Sequence, residues 1–187
     1  LIDSENSIEN EIPRLPVLLP KLLKMLRSDD ASWKSVVEVI SQDPVLVAGV
    51  IKVANSSFYR LNVDAVNLEK IVVNLGQRGV REVVTSVALK PIMQLKGSVT
   101  LQNSAKIIWN HSLKSAIASR AVADSFQASM YDAYLAGLVH NVGMTVILKK
   151  LATTPGLNDI PCSHLFKEQI INLSKQLSLK LLRNWTM

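Results

Sequence analysis

Two histidines, His111 and His140, are the side chains of this 187-residue chain best suited by type to hold a metal ion. His111 stands in Trp109-Asn110-His111-Ser112, inside a long helical pattern. His140 stands in Gly137-Leu138-Val139-His140-Asn141-Val142-Gly143, near the end of the next one. If the two helices pack as an antiparallel pair, both imidazoles approach one point. Two imidazoles and a carboxylate would make a site for a first-row transition metal. A carboxylate at position 141 would be an anionic ligand, but the chain has the neutral amide of Asn141, a poor one. Asp132 falls two helical turns earlier and Asp159 falls in a loop, so neither replaces it.

Other chemistries are less well served. The single cysteine, Cys162, excludes an intramolecular disulfide and a Cys-rich zinc site. His164 lies two residues from it, but no third group is present to orient the pair as nucleophile and base. Gly76-Gln77-Arg78-Gly79 lacks the lysine and the strand-to-helix setting of a phosphate loop. No Gly-x-Ser-x-Gly elbow occurs. Arg78, Arg81, Lys90 and Lys96 are the best basic candidates for a nucleic acid or nucleotide, and Arg78 and Arg81 share a helical face only if residue 78 is itself helical. The excess of 21 basic over 15 acidic residues is spread along the chain with no block of five like charges, which reads as an ordinary solvated surface.

The elements that must position these residues are helices. Apolar residues make up 48% of the chain, while Gly and Pro number only 7 each, which argues against both disorder and a many-stranded β fold. No segment alternates with a period of two, so the fold class is all-α, with roughly eight to ten helices. Leu18, Leu22, Met25 and Leu26 share one face of a first helix. Ser32 is placed to cap a second, Trp33 to Ser41, and Asp43-Pro44 starts a third that runs to Ala54. Asn67 caps a short helix that stops at Gly76, and Val80 to Leu89 follows. Gly97 to Asn103 reads as a connection, and Ser104 as the opening of a long helix over residues 105–126. Another starts at Met130 or Tyr131 and reaches about His140 or beyond, and two more cover 163–173 and 175–185.

Residues 1–12 read as a polar leader or linker, followed by an N-terminal lobe of about 13–95 and a C-terminal lobe of about 100–187. The chain opens at Leu1 with no start methionine and no signal-peptide apolar region, as a fragment of a longer chain, or one lacking its first residues, would. No apolar run reaches the ~18 residues of a membrane span. The lone cysteine fits a cytoplasmic setting.

Several ordered motifs resemble the HDOD domain, the HD-related output domain of bacterial signalling proteins. Asp43-Pro44-Val45-Leu46-Val47-Ala48 and Val53-Ala54-Asn55-Ser56-Ser57-Phe58-Tyr59 look like its N-terminal signature. Leu68-Glu69-Lys70-Ile71, Asn74-Leu75-Gly76 and Val80-Arg81-Glu82-Val83 are similar to its short helix, Leu-Gly stop and Arg-bearing helix. Trp109 with His111-Ser112, the run Asp132 to Gly143 that includes Gly137, and Leu181-Leu182-Arg183-Asn184-Trp185 resemble its later elements. The resemblance covers about Leu15 to Trp185.

The resemblance implies a multi-helix HD-like bundle and places His111 and His140 at two ligand positions of the metal-dependent HD phosphohydrolases. Asn141 stands where that superfamily carries Asp, and Ser174 stands near where relatives often carry a further His. The HDOD branch is regarded as non-catalytic. The expectation is therefore a regulatory module that binds a protein partner or a fused signalling domain, with a degenerate metal site and no cofactor. A metal-dependent phosphohydrolase with a divalent transition metal is the alternative. A nucleic-acid or nucleotide binder is a second alternative, less favoured. Asp43, Pro44, Ala54, Asn55, Ser56 and Tyr59 are expected to serve mainly in packing and capping.

Overall fold

The computed structural model describes residues 18–27, 32–56, 68–154 and 163–186. Among them are eight α-helices, two short 3-10 turns and no strand, so the class is all-α. The helices are α1 (Leu18–Arg27), α2 (Trp33–Ser41), α3 (Pro44–Ala54), α4 (Leu68–Leu89), α5 (Val99–Ala123), α6 (Met130–Val139), α7 (Val142–Thr153) and α8 (His164–Thr186). The leader 1–12, the cap Asn67, and Ser57, Phe58 and Tyr59 lie outside the described residues. Two compact units are present, one ending at Pro91 and the other running on from Ile92.

In the first unit, α1 to α4 bury one stripe each. Leu22 and Leu26, then Val36, Val39 and Ile40, then Leu46, Val50 and Ala54 repeat at helical spacing and are all buried. The start of α3 is chemical: Asp43 Oδ1 accepts from Val45 N at 2.8 Å and Leu46 N at 3.3 Å, and Pro44 follows at the first helical position. Such a cap contributes about 1 kcal/mol. At the other end of α3, Asn55 holds the C-cap and Ser56 Oγ donates to Val53 O at 2.6 Å. Ser32 occupies the N-cap of α2, but its side chain makes no capping bond. Gly49 of α3 faces Val87 of α4 so closely that a Cβ there would overlap the Val87 side chain.

The expected gap between Leu75 and Val80 is not a loop. Helix continues on both sides of a single non-helical residue, Gly76, with φ 62° and ψ 177°. That region of backbone space is essentially restricted to glycine. Open space surrounds the position where a Cβ would sit, so Gly76→Ala tests backbone strain alone. Chemical denaturation of Gly76→Ala is expected to show a loss of about 1–3 kcal/mol; an unchanged midpoint would refute the role assigned to this corner.

In the second unit, α5 begins at Val99, five residues before the expected Ser104, because Ser98 Oγ accepts from Leu101 N at 3.3 Å. Its buried face is made of small residues, Ala105, Ser112, Ala116 and Ala123. Helix α6 packs along it, capped by Ser129, whose Oγ accepts from Asp132 N at 3.2 Å. Helices α7 and α8 form the other close pair. The two patterns expected over 163–173 and 175–185 are one helix, because Ser174 is buried against α7 and continues the turn. The apolar stretch Met130–Thr153 has a mean hydropathy of 1.2 over its best window, yet half of that window is buried in the protein. It is divided at His140 and Asn141 into helices of 10 and 12 residues, each shorter than the roughly 20 that a span requires.

Candidate functional site

Small residues bring the two histidines together. A Cβ built on Gly137 of α6 would lie 2.6 Å from Ala116 Cα and 2.8 Å from Ser115 O of α5, so only glycine permits this approach. Three residues further along α6, and five back along α5, the rings of His140 and His111 meet. Their centroids are 5.4 Å apart and their planes cross at 63°. These two contacts run in opposite chain directions, which makes α5 and α6 an antiparallel pair, the arrangement that convergence of the imidazoles requires. His111 is exposed and His140 half-buried, while Ser112, the next residue on α5, is fully buried. Its Oγ has no hydrogen-bond partner among the described residues.

The tautomer of His140 follows from its partner. Nδ1 lies 2.7 Å from Gly137 O. A carbonyl oxygen only accepts, so Nδ1 carries the proton and Nε2 of the neutral ring keeps its lone pair. Asn141 is half-buried at the N-cap of α7 and makes no capping bond with its side chain. The missing cap is replaced from a distance: Gly143 N donates to Ser178 Oγ of α8 at 2.9 Å. Alanine at 143 would overlap Ser174 O and stand 2.9 Å from Ser178 N. This junction had no sequence signal beyond the glycine itself, because its two halves are 35 residues apart.

Among the described residues no three His, Cys, Asp or Glu side chains form a group able to hold a metal. Asp132 lies in the first turn of α6, eight residues before His140, and Asp159 lies outside the described residues. The donor set here is thus two imidazoles, with the amide of Asn141 next to His140 in sequence. It falls short of the three protein ligands of a catalytic zinc site, and a neutral amide is a poor replacement for the missing one.

The remaining candidates do not join this site. His164 sits on the first turn of α8 with its side chain 88% exposed and Nδ1 3.7 Å from Glu168 Oε1, while Cys162 lies outside the described residues. Residue 78 is helical, so Arg78 and Arg81 stand three apart on α4, Arg78 exposed and Arg81 half-buried. From Val80 to Leu89 that arm is mostly buried core, which gives it no open recognition face. Lys90 belongs to the first unit, whereas Lys96 belongs to the second. Trp109 is half-buried on α5.

The all-α fold is that of HDOD domain structures. The HDOD domain profile matches residues 12–187, and the chain belongs to that family, which is related to metal-dependent phosphohydrolases. An HDOD domain protein of unknown function from Geobacter sulfurreducens has a similar crystal structure, with TM-score 0.71 and 22% identity over 94% of this chain and 60% of its own. A candidate phosphohydrolase from Shewanella amazonensis SB2B is similar at TM-score 0.71 and 24% identity, over 97% of this chain and 66% of its own. These likenesses establish the fold. An uncharacterized protein of Treponema pallidum (strain Nichols) is 27% identical over 139 residues, 73% of this chain. The match spans 26% of the length of that relative.

Proposed function

We propose that this domain is a non-catalytic output module of bacterial signal transduction, working in the cytoplasm by binding a protein partner or a fused signalling domain. One observation carries the reading. Where a phosphohydrolase of this superfamily would hold its ion, the chain offers His111 and His140, with Asn141 next in sequence, and no carboxylate among the described residues joins the two rings in a metal-holding group. Two imidazoles are one short of the three protein ligands that hold a catalytic ion, so no metal-bound water is kept in place as a nucleophile. The two rings then serve the α5–α6 interface through their edge contact, His140 being held for it by its bond to Gly137 O within the last turn of α6.

The alternative, a metal-dependent phosphohydrolase, is favoured by one specific feature. With Nδ1 donating to a backbone carbonyl, His140 has its Nε2 lone pair set as a ligating histidine would. Elemental mass spectrometry of protein purified without chelator decides between them, together with hydrolysis of p-nitrophenyl phosphate in added manganese, iron or zinc. The expected result is far less than one metal per chain and no turnover above buffer. Near-stoichiometric metal with turnover that His111→Ala abolishes would overturn the reading.

A further inference from the structure

We infer that the outward face of α3 is a pairing surface for a second copy of this chain, the two α3 helices running antiparallel across a two-fold axis beside Ala48. The inference goes beyond the reading above and does not rest on it, because pairing of copies is independent of whether the domain turns over a phosphate ester. Helix α3 buries Leu46, Val50 and Ala54. Pro44, Val45, Ala48, Lys52 and Asn55 make up the opposite face and are exposed, Val45 at 72%, with Ile51 half-buried on its margin. Lys52 is the one charged residue of the whole helix. A helix this poor in polar residues is normally covered on both sides.

Charge and size select the occupant. Asp43 caps the N-terminus of α3 and Lys52 stands in its last turn, nine residues on and about 14 Å along the axis. The midpoint falls between Val47 and Ala48. Antiparallel pairing about that point sets each Lys52 against the Asp43 of the other copy, so one surface supplies both halves of two ion pairs. Both capping bonds use Oδ1 of Asp43, and a carboxylate has a second oxygen with lone pairs of its own. Between the ion pairs, Val45 meets Ile51 of the other copy, the stem of Lys52 lies over Pro44, and Ala48 meets its own equivalent. A methyl side chain at the axis lets the two backbones approach closely. Parallel pairing would instead set Lys52 on Lys52 and align the two helix dipoles. Other occupants fit less well. A single lysine gives a nucleic acid little to hold. The face carries no Trp, Phe or Leu to anchor it in a membrane interface. With only 11 residues in α3, the contact belongs to the small, transient class of interfaces.

Sedimentation equilibrium of the whole 187-residue chain, from micromolar to millimolar concentration, tests the pairing. Monomers are expected to pass reversibly to dimers, and the association to weaken several-fold from low to moderate salt. Lys52→Glu turns both ion pairs into repulsions and should weaken pairing about tenfold or more. Ala48→Arg puts bulk and like charge at the axis and should weaken it at least as much. Both positions are exposed on α3, so the circular dichroism spectra should match the parent. Cysteine cross-linking in a Cys162→Ala background reads the direction of the helices. Ala48→Cys should give a disulfide-linked dimer on mild oxidation. Lys52→Cys should not, because its two copies lie about 14 Å apart along the axis and a disulfide spans at most about 7 Å between Cα atoms. A monomer throughout the range overturns the proposal and leaves the face to a different partner or to none. So does a dimer indifferent to both Lys52→Glu and Ala48→Arg, or one that Lys52→Cys links and Ala48→Cys does not. None of these outcomes touches the metal and turnover measurements, which decide the non-catalytic reading by themselves.

Discussion

Gly143→Ala is expected to be the most damaging single-methyl change in this domain, costing about 3 kcal/mol or more. The added Cβ would overlap the carbonyl oxygen of Ser174 and come within 2.9 Å of Ser178 N and 3.0 Å of Leu177 Cβ. The first two are backbone atoms of α8, so no rotamer change relieves the contact. The helices must separate, which lengthens the 2.9 Å bond from Gly143 N to Ser178 Oγ and loosens the aliphatic side chains that α7 and α8 bury together. Ser178→Ala separates the two contributions. It removes the bond and keeps the fit, and is expected to cost only about 1–3 kcal/mol. Thermal unfolding followed by far-ultraviolet circular dichroism reads both, at roughly 2–4 °C per kcal/mol for a chain of this size. Equal melting of Gly143→Ala and the parent would show that the two helices have room that this packing denies them.

Asn141→Asp is expected to create a metal site. The substitution adds one negative charge beside His140, whose ring meets His111 at 5.4 Å. Two imidazoles and a carboxylate are the donor set of many three-ligand zinc centres. The tautomer needs no adjustment, because Nδ1 of His140 already donates to Gly137 O. Competition against a chromogenic chelator should show zinc held about tenfold or more tightly by Asn141→Asp than by the parent. Adding His111→Ala to that variant should return the affinity to the parent level. Equal zinc affinity of Asn141→Asp and the parent would mean that more than one ligand has been lost from the site.

Two expected elements matched the structure for different reasons, a chemical start signal and a length. Asp43-Pro44 opens α3 with two bonds to the Asp43 carboxylate, and Trp33 to Ser41 is helical as its length implied. The misplaced boundaries have physical causes. The first turn of α5, from Val99 to Asn103, is mostly exposed, so it shows no apolar period, and Ser98 was its one signal. Helices α6 and α7 share one apolar stretch interrupted only by His140 and Asn141, and two polar residues do not by themselves mark a turn. Ser174 reads as a polar break in a helix and is a buried packing residue instead.

For the site, residue types pointed to His111 and His140 but could only make their meeting conditional on helix direction. What brings them together is Gly137 against Ala116, a contact between residues chosen for being small. Hydrophobic patterning carries no record of such a contact, since neither residue adds apolar weight to a stripe. The bond from Gly143 to Ser178 is equally silent, because a serine on a helix face has many uses and its partner is 35 residues away.

The pairing of consecutive helices in the second unit has a kinetic meaning. Helix α5 packs on its chain neighbour α6, and α7 on its chain neighbour α8. Each pair closes a short loop and so gives up little chain entropy before its contacts form. Contacts local in sequence are the condition for folding in microseconds to milliseconds. Two helical hairpins can thus form independently and then dock, with the Gly143–Ser178 bond made inside the second hairpin as it closes. Native-state hydrogen exchange would see them as two cooperative blocks, with α5–α6 able to open while α7–α8 stays closed.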